Sequence, residues 1–245
     1  KKLNKNYHLI FSDEELDKLK SAIKQKGLCA IDTETNSLNI EDAELVGVSI
    51  AINEDSAHYI PVNHKDLKDN KKVKDQIKEA TLIKFLKRIC NDKSILKIGH
   101  NIKYDLRILD KYDVKCNSIA DTMLLSYAID NGVTKHNMDD LAYLHLNHSN
   151  IKFKELVGSG KKEITFDYVE INRALEYAAE DALITLKLYN FLDKKVKTQK
   201  NNFVYNEIDL PLVNTLAQIE KNGIKINKNY LNELSEEFEK ESLIL

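Results

Sequence analysis

The sequence predicts an α/β protein: a mixed β-sheet of about five strands, one of them antiparallel, flanked by helices and followed by a helical C-terminal extension. Three observations carry that expectation. Apolar, β-branched runs follow one another at 28–34, 44–52 and 56–62, with Asn53-Glu54-Asp55 as a polar turn between the last two, which reads as a three-strand meander. Beyond residue 75 the apolar period becomes helical, interrupted by one short strand at 95–100. After Lys200 only helical patterns and one turn, "KNGIKIN", remain.

Each element has its own signal. A helix over roughly 75–91 carries Ile77, Leu82, Phe85, Leu86 and Ile89 on one stripe. The strand "ILKIGH" delivers the chain to "NIKYDLRILDKYD", where a further helix starts. Helices follow at 121–130, 137–146 and 168–197, with Gly132, Gly158 and Gly160 as breaks. Past Lys200, one helix has Pro211 near its start, and a final amphipathic stretch puts Tyr230, Leu231, Leu234 and Phe238 on one face. Residues 1–198 are therefore read as one domain and 199–245 as the start of another.

Composition bounds the function. With 245 residues, 42% of them hydrophobic, the chain can bury one substantial core and a small attached unit. No apolar run is long enough to cross a bilayer and no leader pattern opens the chain, so no membrane association and an intracellular protein are expected. Cys29, Cys90 and Cys116 are an odd, widely spaced set without C-x-x-C, which favours buried free thiols over disulfides or zinc. The net charge of −2 leaves any polyanion affinity to local patches, and clusters such as Lys71, Lys72 and Lys74 or Lys161 and Lys162 read first as solvated faces. Positive charge is almost all lysine, with only Arg88, Arg107 and Arg173, so bidentate arginine clamps are not the main phosphate device. A start at Lys1 and an end without a helix-stop signal suggest an excised piece.

The chemistry lies in "AIDTETNSL", 30–38, where Asp32 and Glu34 follow a buried-type run. Residues i and i+2 of a strand share a side, so the two carboxylates face one spot about 7 Å apart along the backbone. Desolvating two like charges is costly, and a divalent cation is the simplest compensation. The D-x-E pattern alone is weak: Asp13-Glu14-Glu15 and Asp42-Ala43-Glu44 satisfy it in polar, surface-type contexts. Two further stretches add weight. In "GHNIKYDL" a strand end leads into a helix bearing Asp105, with Asn101 one turn before it. In "YAAED" Tyr177 and Asp181 share a helix face, and Ala178, Ala179 and Ala182 permit close packing. Four carboxylates from three elements can converge on one pocket. Oxygen ligands without His or Cys select Mg²⁺ or Mn²⁺, and two such ions about 3.5 to 4 Å apart can clamp a phosphodiester.

The motifs "DTETNSL", "GHNIKYDLRIL", "KHNMDDLA", "ITFDYVEI" and "YAAEDALITLKL" resemble, in order and spacing, the 3′-to-5′ exonuclease domain of bacterial DNA polymerase I, of the DEDDy exonuclease group and the ribonuclease H-like fold. The resemblance runs from about Asp13 to Lys197 and continues through "IDLPLVNTLAQIEKNGIKIN", similar to the lead-in to a polymerase thumb. It implies Asp32, Glu34, Asp105 and Asp181 as ligands of two metal ions, and Tyr177 as the residue that orients the attacking water. It also implies Leu38 against the terminal base, Phe153 stacked on or near a base, and Asn101 supporting the 3′ end. Lys135 stands where arginine is common, which keeps a phosphate contact as a point charge. His100 stands where glutamine is common. The expected activity is release of deoxynucleoside monophosphates from single-stranded or frayed DNA 3′ ends. The expected setting is proofreading in DNA replication and repair, by a monomer joined to a polymerase domain in the bacterial cytoplasm. The rivals are an RNase D-like RNA 3′ exonuclease and a catalytically silent polymerase module.

Overall fold

The computed structural model describes residues 6–130, 132, 135–199 and 201–244. Among these residues a six-stranded sheet runs in the order β1-β4-β3-β2-β5-β6. Its strands are β1 (Asn6–Leu9), β2 (Leu28–Thr35), β3 (Leu45–Asn53), β4 (Ser56–Pro61), β5 (Leu96–Gly99) and β6 (Ile119–Asp121). Strands β2, β3 and β4 form the expected meander, with β3 antiparallel to both neighbours. The pairs β1 with β4, β2 with β5 and β5 with β6 are parallel, so β3 is the single reversed strand. Strands β1 and β6, four and three residues long, are too short to set a sequence period and exceed the sequence reading.

Helices α1 (Asp13–Lys26) and α2 (Glu79–Cys90) cover one face of the sheet; α3 (Lys103–Asp110), α4 (Thr122–Ile129), α5 (Met138–Leu146) and α6 (Phe153–Val157) follow. The 28-residue α7 (Ile171–Thr198) covers the other face. The helix expected from 168 starts at Ile171, because Phe166–Tyr168 makes a 3-10 turn first. The helix expected from 75 starts at Glu79, since Gln76 bonds to His64 and Val73 in an irregular approach. Helix α1 carries a capping box in which Glu15, one of the carboxylates expected at the surface, accepts from the Ser12 amide at 3.0 Å.

Alternation along β2 divides its side chains. Cys29 and Ile31 join the core under α1 and α2, with Val48, Ile50 and Ile60. Ala30 faces α7, where it packs with Ala51, Ala57, Ala179 and Ala182. Small residues on both surfaces let α7 approach closely enough to bring Asp181 to the end of β2. Cys29 and Cys90 are buried and Cys116 half-buried, all three as free thiols. No helix among the described residues is long and apolar enough to cross a membrane.

Two elements after 200 pack on the preceding helices. A π-helical turn (Val204–Asp209) leads into α8 (Leu210–Asn222), with Pro211 in its first turn as expected. Tyr205 packs among Leu125, Ile184, Leu188 and Leu192, and Val213 with Ile102 and Leu106. Helix α9 (Lys228–Ser242) buries no residue.

Candidate active site

Asp32 and Glu34 leave β2 on the side facing α7, opposite Ser49 and Gly47 of β3. The ladder shifts register immediately after Glu34, where Thr35 pairs with Leu45, and such an irregularity bends the strand end. Gly47 is required here. A Cβ at this position would lie 2.2 Å from the Tyr59 hydroxyl and 2.5 Å from its ring carbon Cζ. The buried Tyr59 hydroxyl lies 2.7 Å from His64 Nε2, whose Nδ1 is 2.9 Å from the Val169 carbonyl. That carbonyl requires Nδ1 to carry the proton, so Tyr59 donates to Nε2. Burial, then Glu34, raises the Tyr59 hydroxyl well above its ordinary value.

Asp32, Glu34 and Asp181 each offer a carboxylate oxygen within 4.8 Å of the other two. Glu34 is buried, Asp32 half-buried, and Glu34 Oε1 is buried with no hydrogen-bond partner. Asp105 sits differently. Its Oδ1 accepts from the Thr33 amide at 2.8 Å and the Thr33 hydroxyl at 2.6 Å, which ties α3 to β2 between the other two carboxylates. It remains close enough to be the largest charge acting on Asp32. Burial, followed by the neighbouring carboxylates, holds Asp32 and Glu34 well above the usual carboxylate range. Burial pushes Asp105 up to about 7 against the lowering bonds from Thr33, and Asp181 up to about 8 against the lowering contact of the Tyr177 hydroxyl. Four carboxyls strained toward protonation are an arrangement that a cation relieves.

Tyr177, half-buried and one turn before Asp181, belongs to an aromatic group: its ring centroid lies 6.0 Å from Phe153 and 6.1 Å from Phe166. Burial, then Asp181, raises the Tyr177 hydroxyl far above its ordinary value. Phe153 starts α6, stacks on Phe166 with ring centroids 6.2 Å apart and stays 42% exposed. Leu38 is 87% exposed at the tip of the 36–43 loop. Asn101 is exposed in the β5–α3 turn with φ 58°, a left-handed conformation that Asn tolerates. Lys135 is exposed and meets none of the carboxylates in an ion pair described by the structure. His100 Nδ1 lies 2.8 Å from the Thr122 hydroxyl, which ties the β5–α3 turn to the start of α4.

Three supporting residues escape the sequence reading. Thr33 holds Asp105, as described. Asp121, 2% exposed, accepts from the amides of Asn101 and Ile102 before α3 and of Met123 and Leu124 in α4, so one carboxylate caps two helices. Its own amide donates to the Tyr205 hydroxyl at 3.0 Å. Glu180, beside Asp181, accepts from the Ile151 amide at 2.7 Å and pairs with His148 at 3.1 Å, anchoring the segment that leads to Phe153. An Asp before a helical run is a readable capping signal, but the second helix it serves is not local.

The donor set is all carboxylate oxygen, and it includes a buried oxygen that no group among the described residues satisfies. This fits a hard divalent cation such as Mg²⁺ or Mn²⁺. A groove of about 420 Å³ between α3 and α8, bordered by Leu106, Arg107, Lys111, Cys116 and Gln218, contains none of Asp32, Glu34, Asp105 and Asp181.

The sheet order and its covering helices define a ribonuclease H-like exonuclease fold. The POL domain of Pol1 from M. smegmatis in complex with DNA primer-template and dNTP superposes with a TM-score of 0.69 at 19% identity, over 95% of this chain and 35% of that one. Brucella melitensis NrnC with bound Mg²⁺ gives 0.64 at 22% identity, over 90% and 94%. Escherichia coli RNase D, an exoribonuclease involved in structured RNA processing, gives 0.65 at 18%, over 87% and 51%. Residues 7–197 match the 3′-5′ exonuclease family of A-type DNA polymerases. DNA polymerase I of Rhizobium leguminosarum is 39% identical over 235 residues, 91% of this chain and 23% of its own length. That of Pseudomonas aeruginosa is 36% identical over 236 residues, 95% and 25%. The chain belongs to the 3′-5′ exonuclease domain family of DNA polymerase I, and it spans about a quarter of the length of these relatives.

Proposed function

We propose that this exonuclease domain removes deoxynucleoside monophosphates from single-stranded or frayed DNA 3′ ends, as the proofreading part of a DNA polymerase I that works in DNA replication and repair. The observation that carries the reading is the meeting of Asp32, Glu34 and Asp181 oxygens within 4.8 Å, with Glu34 Oε1 left unpartnered. In this reading Asp32, Glu34 and Asp181, with Asp105 alongside, would hold two divalent ions. Ions held by these residues would supply a water nucleophile and stabilise the leaving oxygen of the phosphodiester. Tyr177 orients that water from beside Asp181. Leu38 and Phe153 meet bases without reading their edges, Asn101 supports the 3′ end, and Lys135 meets a backbone phosphate. A mismatched terminus has already lost part of its pairing, so it enters a single-strand site at lower cost, with stacking worth about 1.4 kcal/mol per step.

Residues 1–198 are the exonuclease unit in this reading, and 199–245 the start of the polymerase region that would be its partner in a monomeric, cytoplasmic parent chain. RNase D supports an RNA reading through fold likeness alone, at 18% identity, whereas the polymerase I relatives reach 36% and 39% across nearly the whole chain.

The deciding assay uses a 5′-labelled single-stranded DNA with the protein and Mg²⁺. We expect a ladder shortening from the 3′ end, abolished by EDTA, and absent in Asp32→Ala, whose loss is about 10³-fold or more. Equal or faster cleavage of the same sequence as RNA would favour the RNase D-like activity. No ladder from the unsubstituted chain would favour a silent module.

A further inference from the structure

Leu38 projects from a loop that is held more firmly than a surface loop needs to be. Within 36–43, the Asn36 side chain accepts from the Glu44 amide at 2.8 Å. The Asn39 amide donates to the Ser37 hydroxyl at 3.1 Å, and the Asn39 carbonyl accepts from Ala43 at 2.8 Å and Asp42 at 3.1 Å. Both neighbours of Leu38 in sequence are thus tied, while its own side chain stays 87% exposed.

Helix α3 supplies the external restraints, from residues spaced three and four apart on one face. Tyr104 donates to the Ser37 carbonyl at 3.1 Å. Arg107 reaches Glu41 at 3.0 Å with one terminal nitrogen and Glu220 of α8 at 3.2 Å with the other. Lys111, capping the C-terminal end of α3, donates to three backbone carbonyls of the loop: Ile40 at 2.7 Å, Glu41 at 2.9 Å and Ala43 at 2.6 Å. An ammonium has three protons, and all three are used. Of these restraints Lys111 is the strongest. Its charge-assisted bonds go to backbone, which cannot swing away, whereas Arg107 holds a Glu41 side chain that is 76% exposed and screened by water.

The same helix carries Asp105, which is bound to Thr33 one residue before Glu34. Loop and carboxylates therefore share one rigid frame, with α3 setting the distance between them. We propose that Lys111, assisted by Arg107, is a positioning residue that stiffens the 36–43 loop and makes Leu38 a fixed wedge, so that a paired 3′ terminus is parted at a set distance from the carboxylates. This rests on the reading of Leu38 as the residue that meets the terminal base. An apolar side chain separates stacked bases only if its backbone does not yield, and a loop free to move would let the base pair stay closed.

The test compares one DNA strand, free and annealed with a matched 3′ terminus, in the full 245-residue chain. Lys111→Met keeps the aliphatic stem and removes the donors. The ratio of paired-end to single-strand rates should fall about five- to tenfold, and about twofold for Arg107→Met. Leu38→Ala should lower the same ratio, and adding Lys111→Met to it should lower the ratio no further, as expected for two residues acting through one device. Amide exchange over 36–43 should accelerate in Lys111→Met but not in Leu38→Ala, a readout that needs no activity. Unchanged exchange, or an equal loss on both substrates, would overturn the clamp. A Leu38→Ala protein with an undiminished ratio would instead overturn the wedge role of Leu38, while the exchange result still reports on Lys111.

Discussion

The cation-free carboxylate cluster sets the pH response of the fold. Asp105 and Asp181 are raised to about 7 and about 8, and Asp32 and Glu34 are raised as well, in each case first by burial. In the unfolded chain these groups release their protons near pH 4. Between about pH 4 and pH 8 the folded state therefore holds protons that the unfolded state has lost, and stability falls as pH rises through that window. Thermal melts without divalent ions should show this decline, and saturating Mg²⁺ should reduce it, because the bound form is the deprotonated one. A melting temperature that rises across the window would contradict the arrangement. At the same site Tyr177→Phe keeps the ring in its contacts with Phe153 and Phe166 and removes only the hydroxyl beside Asp181. Steady-state cleavage should slow by about ten- to a hundredfold, less than for the loss of an aspartate, and an unchanged rate would remove the hydroxyl from the mechanism.

Among the elements, the β2–β3 pair is the most exacting. Gly47 stands opposite Glu34, and the Tyr59 ring occupies the space a side chain would need. Gly47→Ala should cost about 1–3 kcal/mol, read as a lower urea midpoint, because Tyr59 is bonded to His64 and has no room to withdraw. Cleavage should drop with it, since the displaced ring adjoins Glu34. The strands of this meander were legible because β-branched alternation is a local signal. So was Pro211 at the start of α8. The demand for glycine at 47 was not, because it arises from a ring twelve residues away on the next strand. Nor was the double role of Asp121, whose bonds to Asn101 and Ile102 span about twenty positions of sequence.

For the molecule as a whole, the turn at 204–209 and α8 are packed against the exonuclease body. Tyr205 and Val213 are each 5% exposed, Tyr205 receives the Asp121 amide, and Glu220 pairs with Lys103 and Arg107 of α3. Ending the chain at 199 should cost about 4 kcal/mol or more, and lower the melting temperature by roughly 10 °C in calorimetry. A melt unaffected by that truncation would mean that α8 is a passive neighbour. The sequence by itself determined the α/β class, the reversed strand, the candidate carboxylates and the family, because each is written in local periodicity or in short motifs. Only the tertiary structure decided how the carboxylates stand to one another. Asp32, Glu34 and Asp181 meet directly while Asp105 is drawn to Thr33, since the spacing between side chains on three separate elements is set by how closely alanine-faced α7 and the capped α3 pack against β2.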